Sequence, residues 1–415
     1  MKVLLSAYYC NPDGVSEYYV GFRFWQLLRE KHDVHLLTDK VKEKNWIDFL
    51  GENSPELKKI TFIDLENVYK YIPRLFNLPY YIYNMKAYFA AKALMKTEEF
   101  DLIHHVTASM FRFPVFLSHL GVPFVWGPIG GSVPEPENFG DLFSGDRLDR
   151  RFRFLDKYIA NYEPLVRMTM NRAAKILIAT PHFYELFPKS VHKQMQLFKL
   201  CGFDVPEGRK TPVSQTQEDT FKMLFVGRLV PYKGLQFLLH AISRLEAKSR
   251  FRLDILGTGP YEGECKKLTS SLGMDDIVKF RGRVSHSEVL NYMSETDAYV
   301  IPSLRESWGI SPLEAMSFGK PIIGVANGGL EVVLDSQCAI KIKPENQEQL
   351  IAELAQAIAR LKGSESLRQE MGQAAIKRVR EQFSWQKIGE ELEEVYSEVV
   401  KEPKVCPAKL VRSCS

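Results

Sequence analysis

Short apolar runs alternate with amphipathic stretches along most of the chain. In the first half the runs KVLLSAYY, DVHLLTD, KKITFIDL, DLIHHVT, PFVWGPI and KILIAT are candidate strands, and YYVGFRFWQLLREK between the first two is a candidate helix. Strands that alternate with helices are typical of βαβ units and a parallel sheet. The pattern predicts a doubly wound first domain.

The alternation restarts after a polar segment at residues 206–220, PEGRKTPVSQTQEDT, which has the composition of a linker. Candidate strands beyond it are FKMLFVGRL, FRLDILGTG, IVKFRGRV, AYVIPS and PIIGVAN. We therefore predict an α/β protein with two Rossmann-like domains, at residues 1–205 and 221–385. A helix at 386–400 and a tail at 401–415 complete the division.

Composition narrows the class of protein only slightly. The 415 residues are 45% hydrophobic and 26% charged, with a net charge of +4, which is too weak a bias to indicate nucleic acid. The six cysteines are scattered and predict a reducing compartment. The chain has no apolar stretch of the roughly 18 residues that a membrane span needs, and its first residues are typical of a strand. A cytoplasmic location is expected.

Two segments combine aromatic and basic residues, at 65–95 and at 145–158. One interpretation is a packed helix with a solvated basic face. The other is a surface that rests on anionic lipid, so that the protein would be peripheral on the inner face of a membrane.

Several loops of the second half carry candidate ligand-binding residues directly after strands. VGRLVPYKG contains Arg228 and Lys233, LGTGP contains Gly257, and RESWGISPLEAM contains Glu306 and Glu314. Ligands bind at the carboxyl ends of the strands in open parallel sheets, so these loops are expected at one site. Two cations beside helix N-termini would suit an anion.

The two glutamates allow different interpretations. Ser311, Pro312 and Glu314 have the spacing of a helix start with a capping box. Glu306 follows no local helix rule and is better explained as a ligand-binding residue. Glu314 is open to both explanations.

The motifs VGRLVPYKG, LGTGP, FRGRV, YVIPSLRESWGISPLEAMSFGKPIIG and NGG, in this order, closely resemble the C-terminal domain of retaining glycosyltransferases of family 4. Glu306 and Glu314 match the Glu-x7-Glu signature of that family. The first domain resembles it more loosely, through NPDGVSEYYVGFRFW, DLIHHVT and WGPIGG. The resemblance implies the GT-B fold, in which two Rossmann-like domains face each other across a cleft.

The resemblance also implies roles for individual residues. Arg228 and Lys233 would hold the diphosphate of a nucleotide sugar, Glu306 would face hydroxyls of the donor sugar, and Glu314 would bind the ribose. The other residues implied on the donor side are Gly14, Gly227, Gly257, Arg283, Val284, Ser307, Trp308, Gly309 and Ile310.

The acceptor side is expected in the first domain. Family members carry His-x-His where this chain has adjacent His104 and His105. His105 or Thr107 would therefore face the cleft, or the histidine belongs to the core. Gly130 and Gly131 would lie near the acceptor.

The resemblance thus implies a retaining hexosyltransferase that uses a nucleotide diphosphate sugar. The chain contains no Asp-x-Asp, so we expect no metal or other cofactor. The expected acceptor is a glycan or a lipid-linked glycan in bacterial surface polysaccharide or lipopolysaccharide synthesis. The alternatives are a nucleotide-sugar epimerase on the same fold and a non-catalytic nucleotide-sugar-binding protein.

Overall fold

The computed structural model describes residues 1–14, 16–71, 78–107, 110–146, 155–205 and 220–401. Most of the predicted linker, the arginine-rich part of the second basic segment and the predicted tail lie outside the described residues. Two parallel sheets organise the rest.

The first sheet contains seven parallel strands in the order β3-β2-β1-β4-β5-β6-β7. Their bounds are β1 Lys2–Ala7, β2 Asp33–Asp39, β3 Ile60–Ile63, β4 Leu102–Val106, β5 Phe124–Ile129, β6 Lys175–Ile178 and β7 Met195–Leu197. The central strands are buried on both faces, which explains why they appear in the sequence as continuous apolar runs.

The second sheet contains six parallel strands in the order β10-β9-β8-β11-β12-β13. Their bounds are β8 Phe221–Val226, β9 Phe251–Leu256, β10 Val278–Gly282, β11 Ala298–Ile301, β12 Ile322–Val325 and β13 Ala339–Ile342. In both sheets the strand order reverses beside the first strand, where doubly wound folds bind their ligands. These topologies confirm the predicted GT-B fold.

Helices cover the faces of both sheets. Those before residue 206 are α1 Glu17–Arg29, α2 Glu43–Leu50, α3 Glu66–Tyr71, α4 Leu78–Leu94, α5 Asp156–Tyr162, α6 Pro164–Arg172 and α7 Phe183–Leu186. Those after residue 220 are α8 Leu235–Ser243, α9 Glu262–Ser271, α10 His286–Glu295, α11 Ile310–Ser317, α12 Gly329–Val333, α13 Gln347–Gly363, α14 Glu365–Arg378 and α15 Trp385–Lys401.

A segment of the first half of the chain packs into the second domain. This crossing segment, residues 133–143, follows β5 and places Phe139 and Phe143 inside the core around β8 and α8. Both rings are 1% exposed, and Phe143 stacks on Tyr232 with ring centroids 5.8 Å apart. Hydrogen bonds from Asn327 Nδ2 to Pro134 O (3.0 Å) and from Asn138 Nδ2 to Glu345 O (2.7 Å) fasten the segment.

The last helix, α15, follows the second domain in sequence but packs against α1 of the first. Tyr396 and Trp385 are buried there, and Glu393 bonds His32 at 2.7 Å. Lys175 of β6 pairs with Glu398 at 2.7 Å. Each domain is therefore completed by a segment from the other half of the chain.

Several elements were not predicted from the sequence, among them strands β7 and β13 and helix α14. Strands β7 and β13 lie at the edges of their sheets and are only partly buried, so they lack a continuous apolar run. Helix α14 buries only Met371, Gly372 and Ala375, so it lacks an apolar stripe.

Candidate active site

A cavity of about 1140 Å³ lies between the carboxyl ends of the two sheets. The first domain contributes residues that follow β1, β2, β4 and β5, and the second contributes residues that follow β8 and β11. The predicted donor-side residues that line it are Gly227, Lys233, Glu306, Ser307, Trp308, Gly309, Ile310 and Glu314. The predicted acceptor-side residues that line it are Thr107 and Gly131.

An ion pair between Lys233 and Glu306 stands at the second-domain wall of the cavity. The pair is only 19% exposed on each side. Lys233 ends the 3-10 turn after β8, and the next residue, Gly234, has φ of 75°. A Cβ at Gly234 would meet Pro302 O at 2.1 Å, so only glycine lets this turn lie against the strand that leads to Glu306.

The Asn-Gly-Gly motif at 327–329 supports the Glu306 loop. Gly329 N–H donates to Glu306 O at 2.8 Å, and Asn327 Nδ2 donates to Leu304 O at 2.7 Å. A Cβ at Gly329 would lie 2.2 Å from Trp308 Cα. The motif therefore holds the backbone that carries Glu306 and Trp308.

The capping-box interpretation of Glu314 is wrong. Helix α11 begins at Ile310, with Gly309 as N-cap and no capping bond from a side chain. The Glu314 carboxylate instead lies 2.7 Å from His286 Nε2, and this hydrogen bond raises the pKa of the His286 imidazole. Ser311, the expected cap, accepts a hydrogen bond from Tyr299 Oη at 2.7 Å. Glu314 also lines the cavity.

Other predicted donor-side residues are not among the described residues that line the cavity. These residues are Arg228, Gly14, Gly257, Arg283 and Val284. The Arg228 side chain is exposed. Gly257 is required by packing, because a Cβ there would lie 2.0 Å from Gly227 O.

The adjacent histidines belong to the core and do not line the cavity, and neither does Gly130. His104 Nε2–H donates to Gly127 O, so its Nδ1 accepts from Tyr396 Oη; both distances are 2.7 Å. Burial lowers the pKa of His104 to about 4 and that of His105 to about 3. Both rings are neutral at pH 7.

The first-domain wall of the cavity was not predicted from the sequence. Tyr8 and Tyr9 follow β1, Asp39 ends β2, and Glu17 begins α1. The sequence signal for this wall is the position of AYY and LLTD at the carboxyl ends of two strands, where open parallel sheets bind ligands.

Glu17 supplies a testable pH dependence. Burial raises the pKa of its carboxyl from 4.5 to about 7, so the folded protein holds the proton more tightly than the unfolded chain does. The contribution of the protonated Glu17 carboxyl to the free energy of unfolding is complete below pH 4.5 and is lost as the pH rises through 7. Glu17→Gln removes this loss. Between pH 5 and pH 8, we expect the free energy of unfolding of the variant to rise by about 2 kcal/mol relative to that of the unaltered protein. This is less than the full pKa shift would give, because the cavity admits water.

Urea unfolding at pH 5 and pH 8 measures this difference. Glu52→Gln, at an exposed position, is the control. Parallel pH profiles for Glu17→Gln and the unaltered protein would contradict the prediction.

Comparison with known proteins relates the second half of the chain to one family. The family model described as glycosyl transferases group 1 matches residues 208–378. An α-(1→4)-mannosyltransferase of Mycolicibacterium hassiacum is 30% identical over 207 residues, which are 49% of each chain. An uncharacterized glycosyltransferase of Methanocaldococcus jannaschii is 24% identical over 96% of this chain and 99% of its own. This chain has the GT-B fold of glycosyltransferases.

The structure of Anabaena HepE in complex with UDP has the same fold as this chain. Its TM-score is 0.66 at 16% identity, with 96% of this chain and 100% of that chain covered. Among the described residues, no helix is long and apolar enough to cross a membrane. No group of three or more metal-ligating side chains occurs in that part of the chain either.

Proposed function

We propose that this glycosyltransferase moves a hexose from a nucleoside diphosphate sugar to a glycan or lipid-linked acceptor, with retention at the anomeric carbon. The observation that carries the proposal is the convergence of Lys233, Glu306 and Glu314 on one cavity between the two sheets. HepE, of the same fold, is described in complex with UDP.

Lys233 is the residue that we assign to the diphosphate. Charge develops on the phosphate as the bond to the sugar breaks, and a fixed cation stabilises that charge more in the transition state than in the bound donor. The first backbone N–H groups of α11, at Ile310 and Ser311, lie at the same wall and favour an anion. The proposed transfer therefore needs no metal.

Glu306 and Glu314 have separate proposed roles. Glu314 accepts hydrogen bonds from ribose hydroxyls, and Glu306 accepts them from the donor sugar while it orients Lys233. For retention, we propose attack on the same face of the sugar that the phosphate leaves. The phosphate oxygen then takes the proton of the acceptor hydroxyl.

A thermal-shift screen tests the donor assignment. UDP, GDP, ADP and TDP, each with its common sugar conjugates, are added to the purified protein. We expect the nucleotides of one base to raise the free energy of unfolding by about 2.7 kcal/mol at a concentration a hundredfold above their Kd, because the ligand binds only the folded state. Glu314→Ala should abolish the shift.

Glu295→Ala, at an exposed position on α10, is the matched control and should keep the shift. Stabilisation by none of the nucleotides would contradict the proposal. Interconversion of the free donor without transfer would favour the epimerase.

We further propose that the first domain rests on an anionic membrane surface that carries a lipid-linked acceptor. Leu78, Met85 and Phe89 are exposed on α4 by 40%, 40% and 64%. Their spacing of seven and four residues places them on one face, and the exposed Lys92 continues that face. An apolar stripe that ends in a cation suits an anionic bilayer.

Co-sedimentation with vesicles tests this surface. We expect binding to phosphatidylglycerol-containing vesicles at low salt, and a loss of at least about tenfold when Met85 and Phe89 are both replaced by serine, because the stripe supplies the buried apolar area. Phe49→Ser, at another exposed aromatic position, is the control. Equal binding by all three proteins, or none by the unaltered protein, would contradict the proposal.

A further inference from the structure

The first-domain wall of the cavity has its own chemistry. Six of its residues form what we call the tyrosine wall, Tyr8, Tyr9, Tyr18, Asp39, Tyr69 and Tyr80. Neighbouring rings touch: the centroids of Tyr8 and Tyr9 are 4.5 Å apart, and those of Tyr9 and Tyr18 are 4.8 Å apart. The direction of the hydrogen bonds inside this wall determines what it can offer a ligand.

One hydrogen-bonded chain ends on a carboxylate. Tyr69 Oη donates to Asp39 Oδ2, so its single proton is used. The contact between the Tyr8 and Tyr69 hydroxyls, 2.8 Å, must then have Tyr8 as donor. The protons of Tyr8 and Tyr69 both point along the wall towards Asp39.

A second chain ends on a backbone carbonyl. Tyr83 Oη donates to Leu37 O, so it accepts from Ser6 Oγ at 3.1 Å. Ser6 Oγ therefore accepts from His105 Nδ1–H at 3.0 Å. Because His105 is neutral, its Nε2 accepts from Tyr80 Oη at 2.7 Å. The proton of Tyr80 points into the core, and this chain explains why the core histidine is needed.

Three phenols of the wall have thus used their protons on protein acceptors. What Tyr8, Tyr69 and Tyr80 can still offer a ligand is oxygen lone pairs. Asp39 adds carboxylate oxygens. The wall therefore suits a ligand with many hydrogen-bond donors.

The charges of the cavity point the same way. Among the described residues that line the cavity, Lys233 is the cation, and it is paired with Glu306. Both residues belong to the second domain, on the side of the cavity opposite the tyrosine wall. An anionic group at the tyrosine wall would meet acceptors and the Asp39 carboxylate. The rings meanwhile offer flat apolar surfaces to the C–H face of a sugar.

The geometry points to a subsite at the tyrosine wall for an uncharged, hydroxyl-rich ring, which is the terminal sugar of the acceptor. The subsite selects against an acceptor that is phosphorylated on that ring. This inference rests on the proposed function, because it names the acceptor class of the same cavity. It assigns positioning and specificity to the tyrosine wall and to His105.

The test compares neutral and phosphorylated probes by saturation-transfer NMR. Methyl α-D-glucopyranoside, methyl α-D-mannopyranoside and methyl α-D-galactopyranoside are each titrated against their 6-phosphates, with and without UDP and GDP. We expect at least one neutral glycoside to bind about tenfold or more tightly than its 6-phosphate.

Two variants, Tyr69→Phe and Asp39→Asn, distinguish a role in specificity from a purely structural role. The first frees the Tyr8 proton and the second removes a negative charge, so both should lower the ratio of neutral to phosphorylated binding by about tenfold. A purely structural defect would weaken both probes alike and leave the ratio unchanged. Tyr184→Phe, a half-buried tyrosine elsewhere in the first domain, should keep the ratio.

Tighter binding of the phosphorylated probes would overturn the inference, as would a ratio that neither variant changes. Nucleotide binding without any glycoside binding would overturn it too and leave the donor site intact. Glycoside binding with the expected ratio, but without binding of any nucleoside diphosphate, would support the subsite and contradict glycosyl transfer.

Discussion

Lys233→Met is expected to lower kcat/KM for sugar transfer by about a hundredfold to a thousandfold. The ammonium group stands in the cavity beside Glu306, where negative charge would develop on the leaving phosphate. Removal of one preorganised group of this kind costs about 3 to 4 kcal/mol of transition-state stabilisation. Steady-state assays with the donor identified by thermal shift measure the effect. Most of the loss should appear in kcat, because the charge is greatest in the transition state.

Lys175→Met is the matched control for this variant. Lys175 is also 19% exposed and also pairs with a glutamate, Glu398, but it does not line the cavity. Arg228→Ala belongs in the same series, because the resemblance assigns Arg228 to the diphosphate whereas the side chain is exposed outside the cavity lining. A Lys233→Met enzyme as active as Lys175→Met would contradict the assignment.

Phe139→Ala is expected to lower the free energy of unfolding by about 3 to 5 kcal/mol, the usual cost of emptying a buried phenylalanine site. Phe139 belongs to the crossing segment, yet its ring lies in the second-domain core with its centroid 5.9 Å from that of Phe237. Urea denaturation followed by tryptophan fluorescence and by circular dichroism measures the change. Because Phe143 of the same segment stacks on Tyr232, next to Lys233, kcat should fall as well.

Phe89→Ala is the control for stability, since its ring is 64% exposed and its removal should change the free energy of unfolding by less than about 0.5 kcal/mol. A loss in Phe139→Ala no larger than that of Phe89→Ala would mean that the crossing segment is not part of the second core.

The positions of most strands could be predicted from the sequence because buried parallel strands are continuous apolar runs. The predicted strand DVHLLTD has the bounds, residues 33–39, that the structure shows. Several loops of the second domain were predictable for the same reason, since the rule about strand ends needs only the strands. Lys233, Glu306 and Glu314 meet at one cavity as that rule requires.

Side-chain direction was not predictable in this way. The residues around Glu314 fit a capping box by spacing, but the N-cap is Gly309, in a left-handed conformation. The helix therefore begins at Ile310, and Ser311 lies inside it. The carboxylate then bonds His286, which lies 28 residues away in the sequence. Arg228 and Lys233 occupy one loop, and only Lys233 faces the cavity.

The histidines illustrate a second limit. Residues of β4 alternate between the two faces of the sheet, so His104 and His105 enter different chains of hydrogen bonds. One chain ends at Tyr396 of the last helix and the other reaches Tyr80 at the cavity. Partners so distant along the chain leave no local signal.

The last helix has a consequence for the order in which a ribosome-bound chain can fold. The first domain leaves the ribosome first, but α15, which packs on it, is synthesised after the whole second domain. Until Tyr396 emerges, the buried Nδ1 of His104 lacks its hydrogen-bond donor and the surface that α15 covers stays open. The first domain therefore cannot finish folding as an N-terminal unit during synthesis, in contrast to the usual vectorial order. The first domain finishes folding only when α15 has been synthesised and has packed against it.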